Sequence, residues 1–446
     1  MLMLARNLLV ARLISVENYG IAATFGLALA IIEMTSTFGL PQQLVQDKRG
    51  NDPDFQAALQ GFQVLRGFAN AAILFALAGP FARFMGVPQV TWAHQTIVVV
   101  LILNGLVHFD MHRLGRQMRY GPAAIASVLS PVVALAVIWP LYLMFGDYQV
   151  MLWSLIVQAA ATAVVSHLVA ERPYQLRFDR AVMAHSLRFG WPLLIDGLLL
   201  FAIFNGEKLI VGREFGMEPL ALFSMAITLT LTPALVLQRS AGSFFLPQLS
   251  AAKPERFETL AAITLQSHFL FGAVLIASIV LLGGVFVQLV LGPKYQGVII
   301  LLNLLSVMQA LKVMKGGSAT VSLARARTSN GMVANILRVA TLPVAWYVAV
   351  QGGGVVTVIW IGIIGEALGL AASLILLGVQ LRVSLRPVLP GLALVVALLV
   401  ITGIGAHGDL PVVWPVAVLG LLIMAPVLMP ELRRYVVQRV VTHHGD

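Results

Sequence analysis

Fourteen apolar segments divide this 446-residue chain, and its positive charges gather on alternate connections between them. Crossing a hydrocarbon core as helix takes roughly 20 apolar residues, because lipid offers no partner for an unsatisfied backbone group. Segments of this kind fall near 1–14, 19–44, 57–80, 92–109, 121–145, 148–170, 187–206, 217–238, 261–291, 296–313, 331–350, 354–380, 388–405 and 411–430. With 59% hydrophobic and only 11% charged residues, the chain has too little polar surface for a soluble protein. The predicted fold is all-α and polytopic, with about fourteen transmembrane helices.

Charge orients those helices, since Lys and Arg concentrate on cytoplasmic connections. Even-numbered connections and the C-terminal tail hold 21 of the 29 basic residues. Odd-numbered connections hold five: Arg12, Arg83, Lys208, Arg213 and Lys294. Three more, Arg6, Arg66 and Arg338, fall inside spans. The alternation predicts a multi-pass protein of a bacterial inner membrane with both termini in the cytoplasm. A net charge of +10 would suggest nucleic acid in a soluble protein. Spread over seven cytoplasmic segments, it is what insertion alone requires, and no nucleic-acid partner is expected. The absence of cysteine excludes disulfides and thiolate metal sites. The first span would reach only about 21 Å against a ~30 Å core. The expectation is a start upstream of Met1, with a short helix buried against its neighbours as the other account.

An internal echo sets the domain organisation. Leu9-Val10-Ala11-Arg12-Leu13-Ile14-Ser15-Val16-Glu17 reappears as Ile210-Val211-Gly212-Arg213-Glu214-Phe215-Gly216-Met217-Glu218. A second echo pairs Tyr120-Gly121 and Pro131 in the fifth span with Asn330-Gly331 and Pro343 in the eleventh. Both pairs lie six spans apart, so the copies share one orientation and the repeats are parallel. The chain then divides into a first lobe at 1–170, a cytoplasmic linker at 171–188, and a second six-helix lobe at 187–380. Residues 381–446 add two C-terminal helices and a basic tail. Parallel repeats in a transporter place the substrate path between lobes, with alternating access as the motion.

Charges inside spans are costly and default to functional candidates. Arg6 stands beside Asn7 in the first span. Arg66 has a polar stripe around it, because Gln60, Gln63 and Asn70 recur on the third span at helical spacing. Both arginines are candidate pathway residues; an arginine snorkelling to an interface is the ordinary alternative. Four acids are candidate ion-coupling or cavity groups: Glu33, with Thr37 one turn on; Asp196, after Gly190-Trp191-Pro192; Glu207, which the repeat aligns with Arg6; and Glu366, mid-way along the twelfth span. Structural ion pairs explain such acids equally well. His108, Asp110, His112 and Arg113 suggest a metal at first sight. At the end of the fourth span, however, they read as a solvated basic loop, and no metal site is expected. No nucleophile–base arrangement is present, and no cofactor is expected beyond H+ or Na+ as a coupling ion.

These residues carry a family resemblance. Ala11-Arg12-Leu13-Ile14-Ser15-Val16-Glu17-Asn18-Tyr19-Gly20 resembles the signature ending the first helix of Wzx-like polysaccharide-transport flippases. These belong to the multidrug/oligosaccharidyl-lipid/polysaccharide exporter superfamily. Arg188-Phe189-Gly190-Trp191-Pro192-Leu193 is similar to the family's entry into the seventh span. So are Gly212-Arg213 with Phe223-Ser224-Met225-Ala226, and Phe245-Leu246-Pro247-Gln248-Leu249-Ser250. Phe223 stands where the family usually has tyrosine, and Ala221 where it has glycine. The resemblance implies transfer of undecaprenyl-diphosphate-linked oligosaccharide across the inner membrane, for O-antigen or exopolysaccharide assembly. It implies a cationic cavity for the diphosphate, with a polysaccharide polymerase and export machinery as partners. In the related lipid II flippases an arginine stands six residues before the signature arginine, a position held here by Arg6.

A diphosphate suits arginine, which donates bidentate charge-assisted bonds in a sheltered cavity. One rival is a cation-coupled drug antiporter of the same superfamily, with twelve spans and an acid-dominated cavity. Another is a membrane-embedded polymerase or ligase, which needs large polar periplasmic loops; every such connection here is short. The expectation is a transporter, not an enzyme.

Overall fold

Ser15, Asp52 and Asp179 each stand just ahead of a long apolar stretch, and each caps the helix that follows. Their side-chain oxygens accept from backbone N–H groups of the first turn: Asn18 at 3.2 Å, Asp54 at 3.0 Å and Ala181 at 2.8 Å. Such caps satisfy donors that a helix start would otherwise leave unpaired. The computed structural model describes residues 2–36, 38–405 and 413–443, and among them helices joined by turns and irregular connections occur, with no strand. Thr37 and the segment 406–412 lie outside the described residues. Two compact units follow one another, divided after Ala221.

The first unit holds α1 (Leu2–Leu13), α2 (Val16–Thr35), α3 (Leu40–Gln46), α4 (Pro53–Phe84), α5 (Thr91–Thr96), α6 (Val98–Gly105), α7 (Asp110–Arg116), α8 (Gly121–Ala136), α9 (Ile138–Phe145), α10 (Gln149–Leu168) and α11 (Arg180–Phe215). Gly67 and Gly105 let α4 and α6 touch backbone to backbone. A Cβ at Gly67 would lie 2.9 Å from the Gly105 Cα. At one end of this unit Leu40, Leu44, Phe55, Leu59, Phe62 and Phe109 form a closed apolar cluster.

The second unit takes up most of α12 (Met217–Ser250), then α13 (Pro254–Val290), α14 (Val298–Leu323), α15 (Ser329–Ala340), α16 (Leu342–Val350), α17 (Val355–Leu381), α18 (Leu389–Gly405), α19 (Val413–Leu428) and α20 (Pro430–His443). α14 is its central helix, largely buried, with both α13 and α17 packed on it. α8–α9 and α15–α16 are each one apolar span interrupted just ahead of a proline, Pro140 and Pro343. Proline lacks an N–H and crowds the preceding turn, which loosens the helix there.

Among the described residues ten helices are long and apolar enough to cross a membrane, or twelve if two bent pairs each count as one span. Among the described residues a shorter apolar helix also runs from Arg386 to Thr402, and α1 has only 12 residues.

Three boundaries differ from the hydropathy pattern. The second span ends at Thr35, and α3 starts anew after Gly39, whose φ of +63° breaks the helix. The stretch 239–260 is not a long loop: α12 runs to Ser250 and α13 begins at Pro254. Nor does the tenth span stop at 313, since α14 continues to Leu323 and carries Lys312 and Lys315 inside it. Hydropathy marks where lipid contact stops, while a helix continues as long as its backbone bonds do.

Candidate functional site

The polar stripe on α4 becomes a seam of bonds to neighbouring helices. Gln60 Oε1 accepts from the Phe109 N–H at 3.3 Å, and Gln63 donates to the Asn104 carbonyl at 3.1 Å. Arg66 Nη1 donates to the Ser36 carbonyl at 2.9 Å, and Asn70 donates to the Ser36 hydroxyl at 2.8 Å. Ser36 is where α2 stops, so its carbonyl lacks a helical partner and the stripe supplies one. The Nε of Arg66 is enclosed and makes no hydrogen bond among the described residues.

Glu33 completes this cluster. Its carboxylate accepts from the Asn104 amide at 2.7 Å and interacts electrostatically with Arg66. The Glu33 side chain is exposed, so the cluster opens onto accessible space. A guanidinium, a carboxylate and amides from α2, α4 and α6 thus converge. They can bind and orient an anion; they have no nucleophile with which to transform it.

Arg6 sits elsewhere in the same unit. It is 8% exposed, donates to Gln158 of α10, and contacts the Asn7 side-chain oxygen at 3.5 Å. Tyr19 of the signature segment lies within its electrostatic reach. The adjoining Gly20 is required sterically, because a Cβ there would come within 1.9 Å of the Met217 carbonyl oxygen. Arg6 and Arg66 share no hydrogen-bond partner among the described residues. Glu207 is buried at 3% exposure on α11, and Asp196 is exposed on the same helix.

Glu366, in the second unit, is fully buried and surrounded by cations: Lys315 at 2.8 Å, Arg338 at 3.0 Å and Lys312 at 3.7 Å. Sequence alone pairs none of these. Gln158 and Asn104, polar residues within or ending apolar spans, were the available signals for the partners of Arg6 and Glu33.

His108, Asp110 and Arg113 are not a solvated loop, as their sequence context suggests; all three are buried. Asp110 pairs with Arg113 Nε at 2.5 Å and accepts the backbone N–H groups of Glu171 at 2.8 Å and Arg172 at 3.3 Å. Burial alone would raise the Asp110 carboxyl. The bonds from Arg113 and the two backbone amides outweigh it and hold the group down at about 2. The cluster ties the 171–179 connection to α7.

The second concave feature is apolar. A cavity of about 640 Å³ in the second unit is lined by Phe244, Phe245, Phe271, Ala425, Met429 and Leu432.

With this arrangement established, comparison with known proteins identifies the chain's relatives. Residues 9–300 match the family described as polysaccharide biosynthesis protein, nearly two thirds of the sequence. The chain belongs to that family. The amylovoran biosynthesis protein AmsL of Erwinia amylovora is 25% identical over 301 residues, spanning 65% of this chain and 77% of the relative. The lipopolysaccharide biosynthesis protein WzxC of Escherichia coli K12 is 19% identical over 349 residues, 75% of this chain and 69% of WzxC. Two solved structures share the fold at a TM-score of 0.70. The lipid II flippase MurJ, in an inward closed conformation, is 14% identical and covers 98% of this chain and 97% of its own. An inward-facing multidrug-resistance MATE transporter of the MOP superfamily is 16% identical and covers 86% and 94%. The family member described here is therefore a multi-pass membrane protein with the fold of that superfamily.

Proposed function

We propose that this protein moves undecaprenyl-diphosphate-linked oligosaccharide units from the inner to the outer leaflet of a bacterial inner membrane. Both termini lie in the cytoplasm, and access alternates between the lobes at 1–170 and 187–380. The observation that carries the reading is Arg66, a guanidinium on a membrane-spanning helix, beside accessible Glu33, in a chain of the polysaccharide biosynthesis family. A diphosphate crossing the membrane needs such a donor, and Arg6 supplies a second. Gln63 and Asn70 hold the first arginine's surroundings in place.

Two further features support it. MurJ matches almost the whole chain, C-terminal helices included, whereas the MATE transporter matches 86% of it. Those helices help to line the apolar cavity, which suits an isoprenoid tail. Only the head group then has to cross, and no covalent step is required.

The test is reconstitution. Proteoliposomes containing the full chain and a fluorescent short-chain polyprenyl-diphosphate sugar should show protein-dependent exposure of the label to an impermeant quencher. Transport of organic cations, with no movement of the lipid-linked sugar, would replace this reading with the antiporter.

A further inference from the structure

Between α10 and α11 the connection forms a short arch, 172–177, pinned to the first unit at both ends. At its start Asp110 accepts the backbone N–H groups of Glu171 and Arg172, and His108 Nε2 lies 3.1 Å from the Arg172 carbonyl. At its end the Arg177 N–H donates to the Ala57 carbonyl of α4 at 3.1 Å. Gly61 makes that approach possible, since a Cβ there would collide with the Arg177 carbonyl. Mid-way, the Tyr174 ring packs on His167, with 4.6 Å between centroids. Held this way, the arch and the first two turns of α4 enclose a cavity of about 220 Å³. Gln56, Ala57 and Gln60 are its buried floor. Pro53, Pro173 and Gln175 are exposed at its rim, and the half-buried Arg172 completes the wall.

The donors of this lining are incompletely used. The Arg172 guanidinium donates to the Gln56 side-chain oxygen at 3.1 Å and to the Asn51 carbonyl at 2.9 Å, both neutral acceptors. The neighbouring acids are engaged by other arginines: Asp110 by Arg113, Glu171 by Arg113 and Arg119, and Asp54 by Arg177. A guanidinium carries five N–H donors, so Arg172 keeps some for a further acceptor. Gln60 is 1% exposed, and its oxygen serves the Phe109 N–H. Its amide nitrogen has no hydrogen-bond partner among the described residues. The Tyr174 hydroxyl is a near neighbour too poorly placed to bond it, and lacks a partner as well. An enclosed donor left unmet is costly, and a ligand oxygen in the cavity removes that cost.

We propose that this pocket binds one acidic sugar, a single pyranose ring bearing a carboxylate or phosphate. Arg172 takes the oxyanion through its planar fork. Gln60 and Gln175 take ring hydroxyls, because an amide both donates and accepts, as a hydroxyl does. The volume lies below the ~300 Å³ at which pockets begin to hold drug-sized molecules, so it admits one ring and not an oligosaccharide. The sugar is either a free metabolite or the end residue of a lipid-linked chain, and both present the same chemistry. Such a site needs only this cavity, and holds whether or not the protein is a flippase.

The test is calorimetric titration of the purified full chain with glucuronate and, separately, with glucose 6-phosphate. Saturable binding of both is expected, weakened roughly tenfold or more by Arg172→Gln. Glucose and inorganic phosphate each lack half of the recognised groups and should bind more weakly by a similar factor. Gln60→Glu keeps the acceptor for Phe109 but puts a competing carboxylate in the cavity, so binding should be lost. Tighter binding of farnesyl-diphosphate-linked glucuronate than of free glucuronate, by an increment that Gln175→Trp abolishes, would assign the site to a lipid-carried sugar, and parity to a free metabolite. No saturable binding of either acidic sugar overturns the proposal, as does glucose binding equally well, or unchanged binding in a folded Arg172→Gln variant. If that variant does not fold, unchanged binding in Gln175→Trp, which fills the cavity from its exposed rim, overturns it. Loss confined to Arg66→Gln would place the acidic sugar at the Glu33 cluster and refute this pocket while leaving the proposed function intact.

Discussion

Arg338 donates to the carboxylate of Glu366 across 3.0 Å, from α15 to α17, with both side chains closed to solvent. Removing one member of a buried pair typically costs about 3–5 kcal/mol, because the other charge is left uncompensated. The two members are not equivalent here. Glu366→Ala removes the buried carboxylate that three cations share and should cost at least that much. Arg338→Met should cost clearly less, since Lys315 still holds the carboxylate at 2.8 Å and methionine fills the space. Melting temperatures in one detergent settle the order, and a less stable Arg338→Met would refute the assignment of Glu366 as the shared counter-ion.

Arg66 is expected to be needed for transport. Losing one charge-assisted contact to an anion should weaken head-group binding by roughly 1.5–3 kcal/mol. Lysine keeps the charge but not the planar fork, so Arg66→Lys should be intermediate. Complementation of a polymer-deficient strain, with protein levels checked by blot, measures this. Arg6→Ala and Arg66→Ala variants that both express normally and restore full polymer would make these arginines structural.

How far the sequence reaches is visible at these same residues. The stripe through Gln63, Arg66 and Asn70 is legible because helical spacing is a local property. Its partners are not, since Ser36 and Asn104 come from other helices. Arg6 and Gln158 are 152 residues apart, a pairing no periodicity encodes. Lys312 and Lys315 show the opposite failure. Hydropathy counts lysine as the end of a span, yet Glu366 is 51 residues from Lys315 in sequence and makes its burial tolerable. Charge alternation is less exposed to that error because it sums over many residues at once, whereas a site depends on a few.

Asp110 gives a prediction in pH. Its carboxyl is held at about 2 against an ordinary value of 3.8, so the folded state favours the ionised form. The stability it contributes is fully present above the ordinary value and disappears as pH falls through about 2. The gap in melting temperature between wild type and Asp110→Asn should be constant from pH 7 to 5. It should narrow from about pH 4 downward. A gap that stays the same down to pH 2.5 would mean that the bonds from Arg113, Glu171 and Arg172 do not depend on the charge.

Charge alternation predicts the sidedness of each connection. Asp147 lies between α9 and α10, and Gly353 between α16 and α17, on connections nearly free of Lys and Arg. Arg119, Arg180 and Arg327 border α8, α11 and α15 on the Arg-rich side. Alkaline phosphatase fused after Asp147 or Gly353 should be active, because it folds only outside the cytoplasm. Fusions after Arg119, Arg180 and Arg327 should be inactive as phosphatase and fluorescent as green fluorescent protein. The Arg327 fusion is the most demanding, because two of the four basic residues that mark its connection, Lys312 and Lys315, lie inside α14. If Arg325 and Arg327 alone hold that connection in the cytoplasm, replacing both with glutamine should produce a mixed population there and leave the Arg119 fusion unchanged. Periplasmic activity at Arg327 in the otherwise native chain would invert α14 and α15 and refute the even-connection assignment.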